Sequence, residues 1–151
     1  MRARFTLSLT PCESLESRSW CAKHIGYKKG ADWNEDDDGS LIFCRGSAII
    51  HIFFYEEADV PFVNFLAPIV KLPPQNLLPF YRRLLELNFQ LCGAVSLGVN
   101  EDVIFVCMQS SIEGLTEIGL AEIIETIGVQ VDELDDLLHE EFNAPFFNGE
   151  E

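Results

Sequence analysis

The residues best suited to metal chemistry lie in an acidic segment at positions 31–40. Three ligand-type residues alternate along it and a glycine follows, in the order Asn34, Asp36, Asp38 and Gly39. An EF-hand calcium loop begins in this way, but it also needs a bidentate Glu at its twelfth position and a helix after it. Arg45 occupies that position and a strand pattern follows, so we interpret residues 32–39 as a solvated acidic loop. The sequence leaves open whether this loop binds a cation.

The histidines and nucleophiles form no recognisable catalytic or metal-binding pattern. Cys21 and His24 lie three residues apart on a predicted helix, but a structural zinc site needs four ligands and no second pair has suitable spacing. His51 lies in an apolar strand pattern and His139 on an acidic helix, which are typical positions for a core and a surface histidine. No GxSxG motif and no phosphate-binding glycine loop occurs. We therefore expect no enzymatic activity, no metal and no cofactor.

The five cysteines are an odd number and include no CxxC pair. Three of them lie in apolar runs, namely Cys44, Cys92 and Cys107. Buried free thiols in a reducing compartment are the natural interpretation, and burial is expected to make them inert. The N-terminal apolar stretch is too short for a signal peptide. Both features predict a cytoplasmic protein.

Length and charge restrict the classes of protein to which the chain can belong. Its 151 residues predict one domain, with residues 1–10 and 143–151 as loose ends. Twenty-five acidic residues against ten basic ones give a net charge of −15. This balance argues against binding to nucleic acid or to an anionic membrane. No apolar run approaches the roughly 20 residues that a membrane-spanning helix needs.

Apolar periodicity predicts an α+β protein with the element order α-β-β-β-α-β-β-α. Helices are expected at residues 11–25, 77–90 and 116–142, and strands at residues 41–44, 48–55, 60–72, 94–99 and 103–108. Pro61 and Pro68 cannot donate to a ladder, so they place the third strand at a sheet edge or give it a bulge. Asn76 and Thr116 are expected to cap the second and third helices. Gly128 weakens the third helix and can split it.

The helix at residues 77–90 is apolar on nearly all sides, with only a narrow polar stripe. A helix of this kind is mostly covered by other structure. Because one sheet cannot bury so much apolar surface, we predict a homodimer in which a second copy covers the excess. The alternative is that the other two helices cover it within one chain.

Aromatic residues are denser in the strands than a sheet with one covered face requires. We therefore select six candidates for contact with a partner or a second copy: Phe53, Tyr55, Phe62, Phe65, Tyr81 and Leu85. The first four lie in the strands and the last two in the central helix. The alternative is that helices cover both faces of the sheet.

The centre of the chain resembles the YbjN family and the related type III secretion chaperone-like fold. The resemblance rests on KLPPQNLLPFYRRLLELN at residues 71–88, followed by CGAVSLG and VIFVCMQ in the two strands after it. It continues through residues 114–138 and covers about residues 40–142 in all. It implies a five-stranded antiparallel sheet packed with helices, commonly a homodimer, and binding of extended segments of partner proteins.

Two functions are compatible with these observations. The first is a non-enzymatic protein-binding module of chaperone-like fold, whose partner is an extended protein segment. The alternative is a small-molecule sensor or enzyme with a pocket between sheet and helices, for which the polar residues His51, Asn64 and Asn88 are the only support. Convergence of these three side chains in one cavity would favour the alternative. Backbone hydrogen bonding explains each of them more simply.

Overall fold

The computed structural model describes residues 10–11, 33–35 and 41–149. Within these ranges the elements follow in the order β1 (Thr10–Pro11), β2 (Trp33–Glu35), β3 (Leu41–Arg45), β4 (Ala48–Glu57), β5 (Val60–Lys71), α1 (Leu77–Leu91), β6 (Ser96–Asn100), β7 (Val103–Ser111) and α2 (Glu117–Phe142). The predicted helix at residues 11–25 lies outside the described residues, except for Pro11, which belongs to β1.

The strands form one antiparallel sheet in the order β2-β3-β4-β5-β7-β6, and β1 pairs with the C-terminal end of β4. The predicted α+β fold with a five-stranded antiparallel sheet is confirmed by β3 to β7 and the two helices that follow them in the chain. Residues 33–35 belong to the predicted acidic loop but pair with residues 41–43. The loop prediction is therefore wrong for these three residues, because their backbone extends the sheet beyond β3.

Side chains alternate along the strands and give the sheet two different faces. The core face packs under both helices, because the buried residues of α1 and α2 form one cluster with it. The strand residues of this cluster include Leu41, Phe43, Ile50, Ile52, Phe54, Val63, Phe65, Ala67, Ile104 and Val106. The opposite face, called the second face below, presents His51, Phe53, Tyr55, Phe62, Asn64, Leu66, Phe105 and Cys107.

Helix α1 buries Phe80, Leu84 and Leu87, whose spacing of four and three residues places them on one side. The prediction that Asn76 caps this helix is wrong. Asn76 adopts a left-handed conformation with φ of 60°, and its side chain makes no capping hydrogen bond. Only its carbonyl accepts a bond, from the Phe80 N–H at 3.0 Å. The helix ends at Cys92 in a left-handed conformation, as helix C-termini commonly do.

Helix α2 is continuous over 26 residues and crosses β4, β5 and β7 on the core face. The Thr116 hydroxyl accepts a hydrogen bond from the Gly119 N–H at 3.0 Å, so the predicted cap is confirmed. The predicted split at Gly128 is wrong. Gly128 is buried under the side chain of Arg45, which crosses the helix there and forms an ion pair with Glu125. Neither α1 nor α2 has the length and apolar character that a membrane-spanning helix requires.

Strand β5 lies inside the sheet, between β4 and β7. The prediction that its prolines place it at an edge is therefore wrong. The alternative of a bulge is confirmed, because the register with β7 shifts between Pro68 and Val70. The ladder between β4 and β5 ends at the pair His51 and Leu66, just before this bulge.

Residues 143–147 pack against the sheet, so the prediction of a loose end is wrong for them. Phe146 forms an isolated bridge with Val70, and Ala144 is completely buried. The Lys71 N–H donates to the Pro145 carbonyl at 2.8 Å, and the Phe147 N–H donates to the Ile69 carbonyl at 3.0 Å. The backbone pairing and the buried alanine hold this segment in place.

The cysteines are less buried than their apolar surroundings in the sequence suggest. Cys44 and Cys92 are exposed and Cys107 is half-buried, while Cys12 and Cys21 lie outside the described residues. The prediction of buried thiols is therefore wrong for Cys44 and Cys92. Cys44 lies on the second face of β3, and Cys92 lies just after the last turn of α1.

Candidate partner-binding surfaces

The outward side of α1 carries a row of exposed apolar side chains, called the α1 stripe below. Leu78, Leu85 and Phe89 are 80%, 71% and 84% exposed, and Tyr81 lies between them at 37%. Spacings of three and four residues place all four on the side of the helix opposite Phe80, Leu84 and Leu87. Contiguous exposed apolar side chains are uncommon on the surfaces of monomers, which makes the α1 stripe a candidate interaction surface.

A shallow depression of about 470 Å³ lies at the C-terminal half of the stripe. Its lining combines apolar and polar side chains, namely Arg82, Leu85, Glu86, Phe89 and Gln90. Arg82 Nε donates to Glu86 Oε1 at 3.0 Å along one edge. An apolar centre with a polar rim is the usual composition of a protein–protein interface.

Three contacts fix the orientation of α1 and therefore of the stripe. Arg83 donates from Nε and Nη2 to the two carboxylate oxygens of Glu141 at 2.8 and 2.9 Å. This bidentate contact also raises the pKa of the Arg83 guanidinium. Phe80 packs edge-on against Phe142, with ring centroids 5.2 Å apart. Asn88 bonds to the backbone of β6, so the helix is joined to both α2 and the sheet.

Three of the predicted candidates meet on the second face of the sheet. Phe62 stacks on Tyr55 at 5.5 Å, and Phe53 lies on the same face and stacks on His51 at 6.4 Å. Phe53 and Phe62 are half-buried, whereas Tyr55 is only 5% exposed. Burial, with a smaller contribution from the nearby Glu57 charge, raises the pKa of the Tyr55 hydroxyl.

A small apolar cluster adjoins these aromatic residues and consists of Leu66, Val103 and Phe105. Phe53, Cys107 and Phe147 pack around it. Burial raises the pKa of the Cys107 thiol to about 11, only partly offset by a backbone hydrogen bond from Gly98. The thiol is therefore an apolar packing group at neutral pH and has little nucleophilic character.

The selection of Phe65 as a partner-binding candidate is wrong. Phe65 is completely buried in the main core, because its position in β5 points it to the core face under the helices. Phe62 points to the opposite face. The alternation of side chains along the strand therefore separates two candidates that were selected together because aromatic residues are dense in this part of the sequence. Tyr55 is also largely buried and can support Phe62 but offers little surface of its own.

Leu78 and Phe89 are the most exposed apolar residues of α1 and were not among the candidates. Leu78 lies two helical turns before Leu85 and Phe89 one turn after it, so the periodicity that selected Tyr81 and Leu85 also contains them. The signal was obscured because the helix is apolar on its buried side as well. A helical projection alone cannot tell which of two apolar sides faces the core.

The polar residues proposed for a small-molecule pocket do not converge. His51 and Asn64 lie on the second face, whereas Asn88 lies on α1 at the opposite side of the sheet and bonds to Leu97. Within the described ranges, no group of three or more His, Cys, Asp or Glu side chains is arranged to hold a metal ion. The geometry favours protein-binding surfaces over a ligand pocket.

Comparison with protein families identifies the family of this chain. Residues 17–148 match the TY-Chap1 model, described as T3SS (YopN, CesT) and YbjN peptide-binding chaperone 1. The chain belongs to the TY-Chap1 family. The resemblance inferred from residues 40–142 is therefore confirmed, and the match extends it toward the N-terminus. A comparison with curated protein sequences gives no significant match.

Solved structures support the fold of this TY-Chap1 protein. A chain in the crystal structure of the ExsC–ExsE complex matches with a TM-score of 0.63 and 14% identity, covering 80% of this chain and 92% of that one. A chain in the structure of the Yersinia pestis type III secretion chaperone SycH with a fragment of YscM2 matches with a TM-score of 0.53 and 14% identity. This match covers 78% of this chain and 96% of that one. At this identity the similarity concerns the fold.

Proposed function

We propose that this TY-Chap1 protein is a non-enzymatic cytoplasmic chaperone that forms a homodimer through α1 and binds an extended segment of a partner protein. The observation that carries the proposal is the exposed α1 stripe in a member of a peptide-binding chaperone family. The exposed thiols of Cys44 and Cys92 support a reducing compartment, where unpaired cysteines persist.

Charge distribution favours α1 as the surface of self-association. Helix α2 carries nine acidic residues and no Lys or Arg, whereas α1 carries two Arg and one Glu. Two copies that meet through α1 therefore avoid most of the repulsion expected from a net charge of −15. Leu85 lies near the middle of α1, so a two-fold axis there brings Tyr81 of one copy opposite Phe89 of the other.

The second face of the sheet offers the surface for the partner segment. Phe53 and Phe62 present half-buried aromatic rings beside the Leu66, Val103 and Phe105 cluster. Aromatic rings of this kind contribute large contact areas to peptide recognition. The α1 stripe serves self-association, and the second face serves the segment.

Selection from a library of random 16-residue peptides displayed on phage tests the binding of extended segments. We expect enrichment of peptides with apolar residues at alternate positions, because a segment that lies along a sheet presents every second side chain to it. Phe62→Asp should abolish enrichment, and the matched control Glu122→Gln, an exposed change on α2, should retain it. Recovery of no peptide above an unrelated protein would contradict the proposal.

A further inference from the structure

The C-terminal segment fills a strand position beside β5 that β4 leaves empty. Strand β7 pairs with one side of β5 from Phe62 to Lys71, whereas β4 pairs with the other side only as far as Leu66. Residues 145–147 pair with residues 69–71 of β5. They lie on the side of β5 that faces β4, beyond the point where the pairing with β4 ends. We call this position the acceptor slot and residues 145–149 the tail.

The sequence of β5 explains why the slot exists. Pro68 has no N–H to donate, and the bulge between Pro68 and Val70 interrupts the regular ladder. Further along the tail, a Cβ on Gly149 would lie 3.9 Å from Ile49 Cδ1 at the start of β4. The tail therefore lies between β5 and the beginning of β4.

The tail occupies the slot as a peptide ligand would. Two backbone hydrogen bonds hold it, with Ile69 as acceptor and Lys71 as donor. Its aromatic residues point to opposite sides of the sheet. Phe147 packs against the second-face cluster of Leu66, Val103 and Phe105, and Phe146 stacks on His139 with ring centroids 4.3 Å apart.

The tail is more exposed than the strands beside it. Phe146 remains 45% exposed, and Phe147 is only half-buried. Asn143 ends α2 in a left-handed conformation with φ of 54°, and the buried Ala144, whose carbonyl oxygen lies 2.9 Å from His139 Nδ1, fixes the chain where the tail begins. Departure of the tail breaks its contacts with His139 and β5, but it leaves the hydrogen bonds within α2 and between the strands in place.

We propose that the tail is an internal placeholder and that an extended partner segment with an aromatic residue replaces it in the acceptor slot. The incoming segment forms the same two backbone hydrogen bonds with Ile69 and Lys71, and its aromatic side chain enters the cluster that Phe147 leaves. This inference rests on the proposed peptide-binding function and adds its regulation, because the protein's own tail competes with the partner.

A disulfide that locks the tail tests this exchange in the full chain. Val70 and Phe146 face each other in an isolated β-bridge, so the double variant Val70→Cys and Phe146→Cys places two thiols opposite each other. The exposed Cys44 and Cys92 are replaced by Ser in this variant and in its controls. The probe is a fluorescein-labelled peptide of residues 141–149, EFNAPFFNG, whose binding is measured by fluorescence anisotropy. The oxidised protein should not bind it, and reduction should restore binding. Val70→Cys alone should show no redox dependence.

A second set of variants weakens the tail. Phe147→Ala should bind the same peptide at least about tenfold more tightly than the wild type, because the competing tail is present at a high effective concentration. Asn148→Ala, an exposed change in the same tail, should leave affinity unchanged. Equal affinity of the locked, reduced and Phe147→Ala proteins, or binding by none of them, would overturn the inference.

The experiment separates this inference from the proposed function. If phage-selected peptides bind the oxidised and reduced proteins equally, the chaperone function stands and the acceptor slot is wrong. If the lock controls binding of the tail peptide but no library peptide is ever recovered, the slot stands and the proposed function is wrong.

Discussion

Asn88 and Leu97 form two reciprocal hydrogen bonds. The Asn88 Nδ2 donates to the Leu97 carbonyl at 3.1 Å, and the Leu97 N–H donates to Asn88 Oδ1 at 2.6 Å. The side-chain amide thus pairs with the edge strand β6 as a neighbouring strand would. Exposed strand edges invite pairing with other chains, so this contact protects one residue of the edge while it attaches α1 to the sheet.

Replacement of Asn88 should destabilise the protein. Asn88→Ala is expected to lower the free energy of unfolding by about 2 kcal/mol, because two hydrogen bonds are lost at a partly buried position. Asn88→Asp keeps the acceptor for the Leu97 N–H but places a carboxylate against the Leu97 carbonyl, so it should also destabilise. Urea unfolding followed by circular dichroism measures both. A change below about 0.5 kcal/mol for Asn88→Ala would contradict the structural role of the pair.

The two faces of the sheet should respond differently to loss of an aromatic ring. Phe65→Ala is expected to cost about 3–5 kcal/mol of stability, because it empties a completely buried position under the helices. Phe62→Ala removes a half-buried ring and should cost less than half as much. Chemical unfolding of both variants gives the comparison. Similar costs would mean that the assignment of these residues to opposite faces is wrong.

The thiols of the described residues should differ in reactivity. Cys44 and Cys92 are exposed and should react quickly with N-ethylmaleimide at pH 8. Cys107 should react about a hundredfold more slowly than an ordinary thiol, because burial raises its pKa to about 11 and depletes the thiolate. Peptide mapping by mass spectrometry at timed intervals resolves the sites. Labelling of Cys107 as fast as that of Cys44 would contradict its burial.

Asp135 should destabilise the folded protein at neutral pH. Burial, together with the neighbouring Asp136 and Asp132 charges, raises its pKa in the folded state, despite a hydrogen bond from the Asp136 N–H. The folded state therefore binds the proton more tightly, and stability falls as pH rises through the ordinary carboxyl range.

Asp135→Asn should accordingly raise the urea midpoint at pH 7, and the gain should vanish in acid, where Asp135 is protonated in both states. Asp136→Asn is the matched control, since it removes an equal charge from an exposed position on the same helix. An equal rise in the urea midpoint for both variants would mean that any loss of negative charge from α2 stabilises the protein, and that the Asp135 carboxylate carries no destabilisation of its own.

Periodicity predicted the fold because it depends on local patterns that tertiary packing preserved. The seam of α2 is buried as expected, at Leu120, Ile124, Ile127, Val131, Leu134 and Leu138. The predictions were wrong where contacts between residues far apart in the sequence determine the local structure. Gly128 lies within a continuous helix, and its missing side chain leaves the space that Arg45, from a hairpin far away in the chain, occupies.

The candidate surfaces were only partly predictable for the same reason. The density of aromatic residues in the sequence could not assign Phe65 and Phe62 to different faces of the sheet, because only the strand register does so. The tail was predicted to be loose because the sequence does not show its pairing partner. That partner is the part of β5 after the bulge at Pro68, on the side where β4 no longer pairs with it. Tyr81 and Leu85 are exposed, and they remain predicted contact residues because the apolar surface of α1 exceeds what one core needs.

Sedimentation equilibrium is the most direct test of the central claim that α1 mediates self-association. In moderate salt at tens of micromolar, the wild-type protein should sediment at twice the 17.1 kDa mass of the chain. Leu85→Asp should shift it to a monomer, because it places a charge at the centre of the α1 stripe, whereas Ile118→Asp should not, because the exposed Ile118 lies on α2. A wild-type species of 17.1 kDa under these conditions would contradict the claim.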